Sequence, residues 1–152
     1  MSALKRRGFD PDEHNRLFLN KAKALALFCH NNGLAGAECL LGLKIRKLVE
    51  FYDGIGPNWS HGVLAKIIRH IDPVFEPAGF LQDIQYHIYP DRREKGFHDV
   101  NRMFLENCNR CIDMKYGWWR FLTRRRMRKS AKALFDACEE HGWSSWIAQR
   151  ER

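Results

Sequence analysis

At 152 residues the chain has the size of one ordinary domain, and no linker-like stretch divides it, so a single domain over 1–152 is expected. Hydrophobic residues make up 45% and charged residues 29%, a globular balance, and the longest uncharged apolar run, Ala24 to Cys29, is far too short to span a bilayer. The net charge of +8 is local: the eight basic residues from Lys115 to Lys132 meet no acidic residue there, while the remainder balances, which favours a polyanion or an anionic surface as partner.

The N-terminus MSALKRRGFDPDEH passes from basic residues to an acidic helix start without an apolar core, so no cleaved signal peptide is expected. Five cysteines, an odd number scattered over expected helices, fit reduced thiols and the cytosol better than a disulfide framework. Asp10-Pro11-Asp12-Glu13 reads as a capped start, and the stripe Phe18, Ala22, Leu25, Cys29 predicts a helix to about Cys29, stopped by Asn31-Asn32-Gly33. Ala37, Leu41, Ile45, Leu48 and Tyr52 predict a second helix up to Asp53-Gly54. After a loop at Gly54 to Asn58, Ser60 caps a third, carrying Leu64, Ile67, Ile68 and Ile71. A fourth is expected from about Pro77 to Tyr89, and a fifth with Phe97, Val100, Asn101, Phe104, Cys108, Cys111 and Ile112 on one face. The last runs from about Trp118 to His141, with Phe121, Leu134, Phe135 and Cys138 turned toward the core. No alternating β-branched run occurs, so the class is all-α, a compact bundle of about six helices.

Because the turn from Tyr89 to Gly96 is short, the fourth and fifth helices should be antiparallel neighbours, with Gln82 or Tyr86 near Asn101. The stretch Gln82-Asp83-Ile-Gln-Tyr86, followed by Asn101-x-x-Phe104, resembles the phospholipase A2-like fold in its short bacterial and phage form. There a histidine-aspartate dipeptide with tyrosine three positions on is followed by a helix of the form Asp-x-x-Phe. Asp83, Tyr86 and Phe104 match, and the ending Ala133 to Trp146, with Gly142 and its tryptophans, looks like that family's closing helix; the resemblance covers roughly the C-terminal half. It implies a histidine that activates water, an aspartate that orients it, and a calcium ion held by the dipeptide aspartate. Gln82 stands in place of the histidine and Asn101 in place of its partner. An amide is neither base nor charge, so this centre reads as degenerate, with Asp83 a weak calcium position and no cofactor expected. Read without the resemblance, Gln82, Asp83 and Tyr86 are polar members of a surface helix and Asn101 is a hydrogen-bonded core amide.

The rival is an active calcium-dependent phospholipid esterase using His87, or His98 beside Asp99, with Gly54-Ile55-Gly56 as calcium loop. Buried, amide-bonded Gln82 would speak against it. Cys108-x-x-Cys111 with Cys138-x-x-His141 has the spacing of a zinc site, but these cysteines lie on apolar stripes without knuckle glycines and are read as core. No serine elbow, phosphate loop or dinucleotide fingerprint occurs. The expected function is therefore binding, by a pseudoenzyme in the cytoplasm, that of the host if phage-encoded. Arg120, Arg124, Arg125, Arg126, Arg128, Lys129 and Lys132 would contact nucleic acid, an acidic protein or an anionic lipid surface, through phosphates rather than base edges where the partner is nucleic acid.

Overall fold

The computed structural model describes residues 11–51 and 73–149. Among them lie six α-helices and no strand: α1 (Pro11–Asn31), α2 (Ile45–Phe51), α3 (Glu76–Ile88), α4 (Glu94–Lys115), α5 (Phe121–His141) and α6 (Trp143–Ala148). The expected third helix from Ser60, with Leu64, Ile67, Ile68 and Ile71, and the Gly54 to Asn58 loop lie outside the described residues.

Each helix forms where an apolar stripe recurs at helical spacing and stops where chain chemistry demands. Pro11 opens α1, and Ala22, Leu25 and Cys29 are buried along its inner face. Gly33 ends it in the left-handed conformation at φ 59°, with the Leu34 amide donating to the Cys29 carbonyl at 3.0 Å, the six-to-one bond that closes a glycine-stopped helix.

The expected single helix over 37–52 is corrected. Ala37–Leu40 is one 3-10 turn, Leu41 is extended and 65% exposed, and α2 starts only at Ile45. The Leu41 side chain has no face to bury there, and Gly42, at φ 88°, reverses the chain instead. The side chain of Asn107 holds the loop before this turn on α4: its Oδ1 accepts from the Ala35 amide at 2.7 Å and its Nδ2 donates to the Ala35 carbonyl at 3.0 Å.

α4 is the central element, packed against α3 on one side and α5 on the other. Its stripe Phe104, Cys108, Cys111 and Ile112 meets Phe80, Leu81 and Ile84 of α3 and Met127, Ala131 and Leu134 of α5 in one core. Side chains of this size each contribute about 1.5–3 kcal/mol on full burial, so the stripe rather than helix propensity holds the bundle. Tyr86, Phe97, Val100 and Trp146 form a second, smaller cluster at the other end of α4. The helix expected from Trp118 also divides: Trp118–Arg120 is a 3-10 turn, and Phe121, expected to face the core, is 66% exposed at the first position of α5. Gly142 separates α6 from α5, a break the stripe from Leu134 to Cys138 does not announce.

Candidate functional site

The pairing expected for α3 and α4 is present in detail. Asn101 is fully buried, and its Oδ1 accepts from Gln82 Nε2 at 3.0 Å and from the Tyr86 hydroxyl at 2.7 Å. Its Nδ2 donates to Glu139 Oε1 at 2.8 Å, across from α5. Glu139 is acceptor-only, which fixes the amide with its nitrogen toward α5 and its oxygen toward α3. The other Glu139 oxygen lies 2.5 Å from His98 Nδ1, and Gln82 Oε1 faces the Cys138 thiol at 4.0 Å. Three helices are thus joined by a chain of amide, hydroxyl and carboxylate groups. Buried polar chains of this kind hold a unique packing because each member unsatisfied would cost about 1–3 kcal/mol.

The aromatic cluster backs this network. Trp146 meets Tyr86 edge-on at 5.3 Å, Trp143 meets Phe97 at 5.3 Å, and the Arg92 guanidinium lies 3.9 Å over the Trp146 ring. Gly142 sits where a side chain cannot: a Cβ there would lie 2.9 Å from the Tyr86 hydroxyl and 2.5 Å from the Cys138 carbonyl oxygen. Burial pushes the Tyr86 phenol well above its ordinary pKa, with the Cys138 and Asp83 charges adding to it.

Chemically this centre ties its own helices together through Asn101. Gln82 is buried and amide-bonded, with both its polar ends occupied within the bundle. Asp83, one residue on, is half-buried, and Tyr86 and Cys138 both feel its charge. His87 stacks on Phe51 at 4.3 Å, and His98, on the surface side of α4, is oriented by Glu139 rather than by Asp83 or Asp99. Among the described residues no three of His, Cys, Asp and Glu converge as a metal site. Cys108 and Cys111 are buried in the core, Cys138 faces Gln82, and His141 lies beside Glu140. Burial holds the thiols protonated, Cys29 pushed up to about 12 and Cys39, Cys111 and Cys138 to about 11.

No family model, curated protein or solved structure matches this chain.

The second feature is the basic face of α5. Phe121, Arg125, Lys129 and Ala133 form one row and Arg124, Arg128, Lys132 and Asp136 the next, lining a shallow groove of about 690 Å³. The expectation that this run goes without carboxylate compensation is corrected. Asp113 at the end of α4 pairs with Arg124, and with Arg128 at 2.6 Å, and Asp136 pairs with Lys132. Arg120 lies 5.2 Å over the Tyr116 ring. Among the described residues Arg125, Arg126 and Lys129 have no carboxylate within ion-pair distance and are exposed, so they carry the uncompensated charge.

Four residues of this architecture escape a reading of the sequence: Glu139, Arg92, Asp113 and Asn107. Each acts on a partner far along the chain, Glu139 on Asn101 across 38 positions and Asn107 on Ala35 across 72. A signal existed for Asp113 alone, the acidic residue immediately before the basic run.

Proposed function

We propose that this is a non-catalytic binding protein of phage or bacterial type with a phospholipase A2-like helix pair. In it, neutral amides replace the hydrolytic centre, and the basic face of α5 holds phosphate-bearing anions. The observation that carries the reading is the exposed cations of α5, Arg125 and Lys129 lining the groove and Arg126 next to Arg125 in sequence, with Arg124 and Arg128 held by Asp113. Division of labour follows from these pairs. Arg124 and Arg128 tie α5 to α4, and the three unpaired cations are available to a ligand. Support for the degenerate centre comes from Gln82 and Asn101 bonding each other where a base and a carboxylate would be needed.

The test is binding of the full chain to long-chain polyphosphate across a salt series. Affinity should fall steeply with salt, as counterion release requires, and Arg125→Glu/Arg126→Glu/Lys129→Glu should abolish it without loss of helical signal. Salt-insensitive binding, or none at low salt, refutes the reading. The esterase alternative retains one observation, the His98 ring held by Glu139 at 2.5 Å. Calcium-dependent ester hydrolysis that His98→Ala abolishes would favour it.

A further inference from the structure

Resting on that polyanion reading and narrowing it, we propose that the anionic partner is a lipid bilayer and that the corner between α4 and α5, Gly117 to Leu122, enters its interface. Trp118 is 78% exposed, Trp119 68%, Phe121 66% and Leu122 69%, four large apolar side chains on six consecutive positions. The two indoles meet edge-on at 6.4 Å, and the Trp119 ring folds back over Gly117, where a side chain would collide with it. An exposed apolar cluster of this size marks a contact surface rather than ordinary surface scatter.

Its surroundings select the occupant. Lys115 precedes the corner and Arg120 lies within it, Arg125 and Arg126 follow one turn later on α5, and no Asp or Glu occurs from Lys115 to Lys132 in a chain with 18 elsewhere. At 1.5 Å rise per residue, Arg125 and Arg126 lie about 6 Å along the helix from Phe121 and Leu122. That offset is on the order of the 5–10 Å by which an interfacial apolar face enters the headgroup/acyl boundary, so with the corner inserted the tryptophan rings sit at the interface and the arginine stems reach outward to the phosphates. A second copy of this chain would bring two cationic rims together. A nucleic acid satisfies the cations and offers the exposed Leu122 nothing comparable.

Vesicles of phosphatidylcholine, and the same with about a third phosphatidylglycerol, are titrated against the full chain, reading co-sedimentation and tryptophan emission. Long-chain polyphosphate and duplex DNA serve as soluble competitors. The wild type should sediment with the anionic vesicles only, with a blue-shifted emission. Trp118→Ser/Trp119→Ser should weaken vesicle binding by about tenfold or more, and independently Leu122→Ser by about threefold or more, both leaving polyphosphate binding within about twofold. Arg125→Glu/Arg126→Glu/Lys129→Glu should remove both. If both apolar variants bind vesicles like wild type, or the wild type binds polyphosphate or DNA but not vesicles, the bilayer inference falls and the polyanion reading stands. If the tryptophan variant loses DNA binding as strongly as vesicle binding, the inference also falls, in favour of nucleic acid. Binding to none of the three ends both.

Discussion

Replacing Asn101 by aspartate changes one atom type at the centre of the three-helix network and leaves its volume intact, so the response isolates electrostatics. The wild-type Nδ2 donates to Glu139 Oε1 at 2.8 Å from a fully buried position. In Asn101→Asp an acceptor faces an acceptor, and two carboxylates share a buried contact. At an effective dielectric of about 20 such charges about 4 Å apart repel by roughly 4 kcal/mol, and the donors Gln82 and Tyr86, strengthened by facing a charge, return about 1 kcal/mol. The expected loss near neutral pH is about 3 kcal/mol, a large share of a domain's usual stability. Burial and Glu139 both raise the folded-state pKa of the new carboxyl above its unfolded value of about 3.9. The penalty is therefore absent below about pH 4, where the protonated acid donates to Glu139 as the amide did, and it grows as pH rises through the window up to the raised pKa. Urea unfolding followed by far-ultraviolet circular dichroism reads it: for a slope of about 2 kcal/mol/M the midpoint should fall by about 1.5 M near neutral pH and by little near pH 4. A variant as stable as wild type near neutral pH, or a loss that does not change with pH, would show that Asn101 does not bridge the helices in this way.

Trp146→Ala should cost about 3–5 kcal/mol, since the ring is 1% exposed and its Nε1 donates to the Arg92 carbonyl at 3.1 Å, and a thermal melt would show it. The thiols should resist a disulfide reagent in the native protein and react once it is unfolded. Because burial raises them to about 11–12 in the fold, stability should also fall as pH climbs from the unfolded thiol value of about 8.5 toward 11, and equal native and unfolded reaction rates would contradict this. Asp113→Asn frees Arg124 and Arg128 at a stability cost below about 1 kcal/mol, as the carboxylate is half exposed; polyphosphate affinity should rise, and an unchanged affinity would exclude those arginines from the binding face.

The longest stripes were the most legible part of the sequence. α1, α3 and α4 lie where Ala22, Leu25 and Cys29, the Pro77 to Tyr89 window and the Phe97 to Ile112 face put them. Leu41 misled because a helical period can run across a break: the residue fits the register of Ala37 and Ile45 yet sits on the extended link between a 3-10 turn and α2. Phe121 misled similarly, since an aromatic at helical spacing from Phe135 carries no mark that its own end of α5 overhangs the bundle. At the site, Gln82, Tyr86 and Asn101 were placed together from the short turn between their helices, a local constraint. Glu139 was not, because what it joins depends on how α5 lies across α4, which the packing of Met127, Ala131 and Leu134 decides.

Arg92 gives the small aromatic end of the molecule a shared fate. Its Nη1 donates to the Tyr86 carbonyl at 2.7 Å and its Nη2 to the Trp146 carbonyl at 2.9 Å, so one guanidinium takes carbonyls from the closing turns of both α3 and α6. Helix ends ordinarily fray one by one, each losing its last carbonyl to water. Here the two ends share a donor, and opening either one breaks the fork that holds the other. Backbone amides of the last turns of α3 and α6 should consequently exchange with solvent as a single cooperative unit, although about sixty residues of chain separate them.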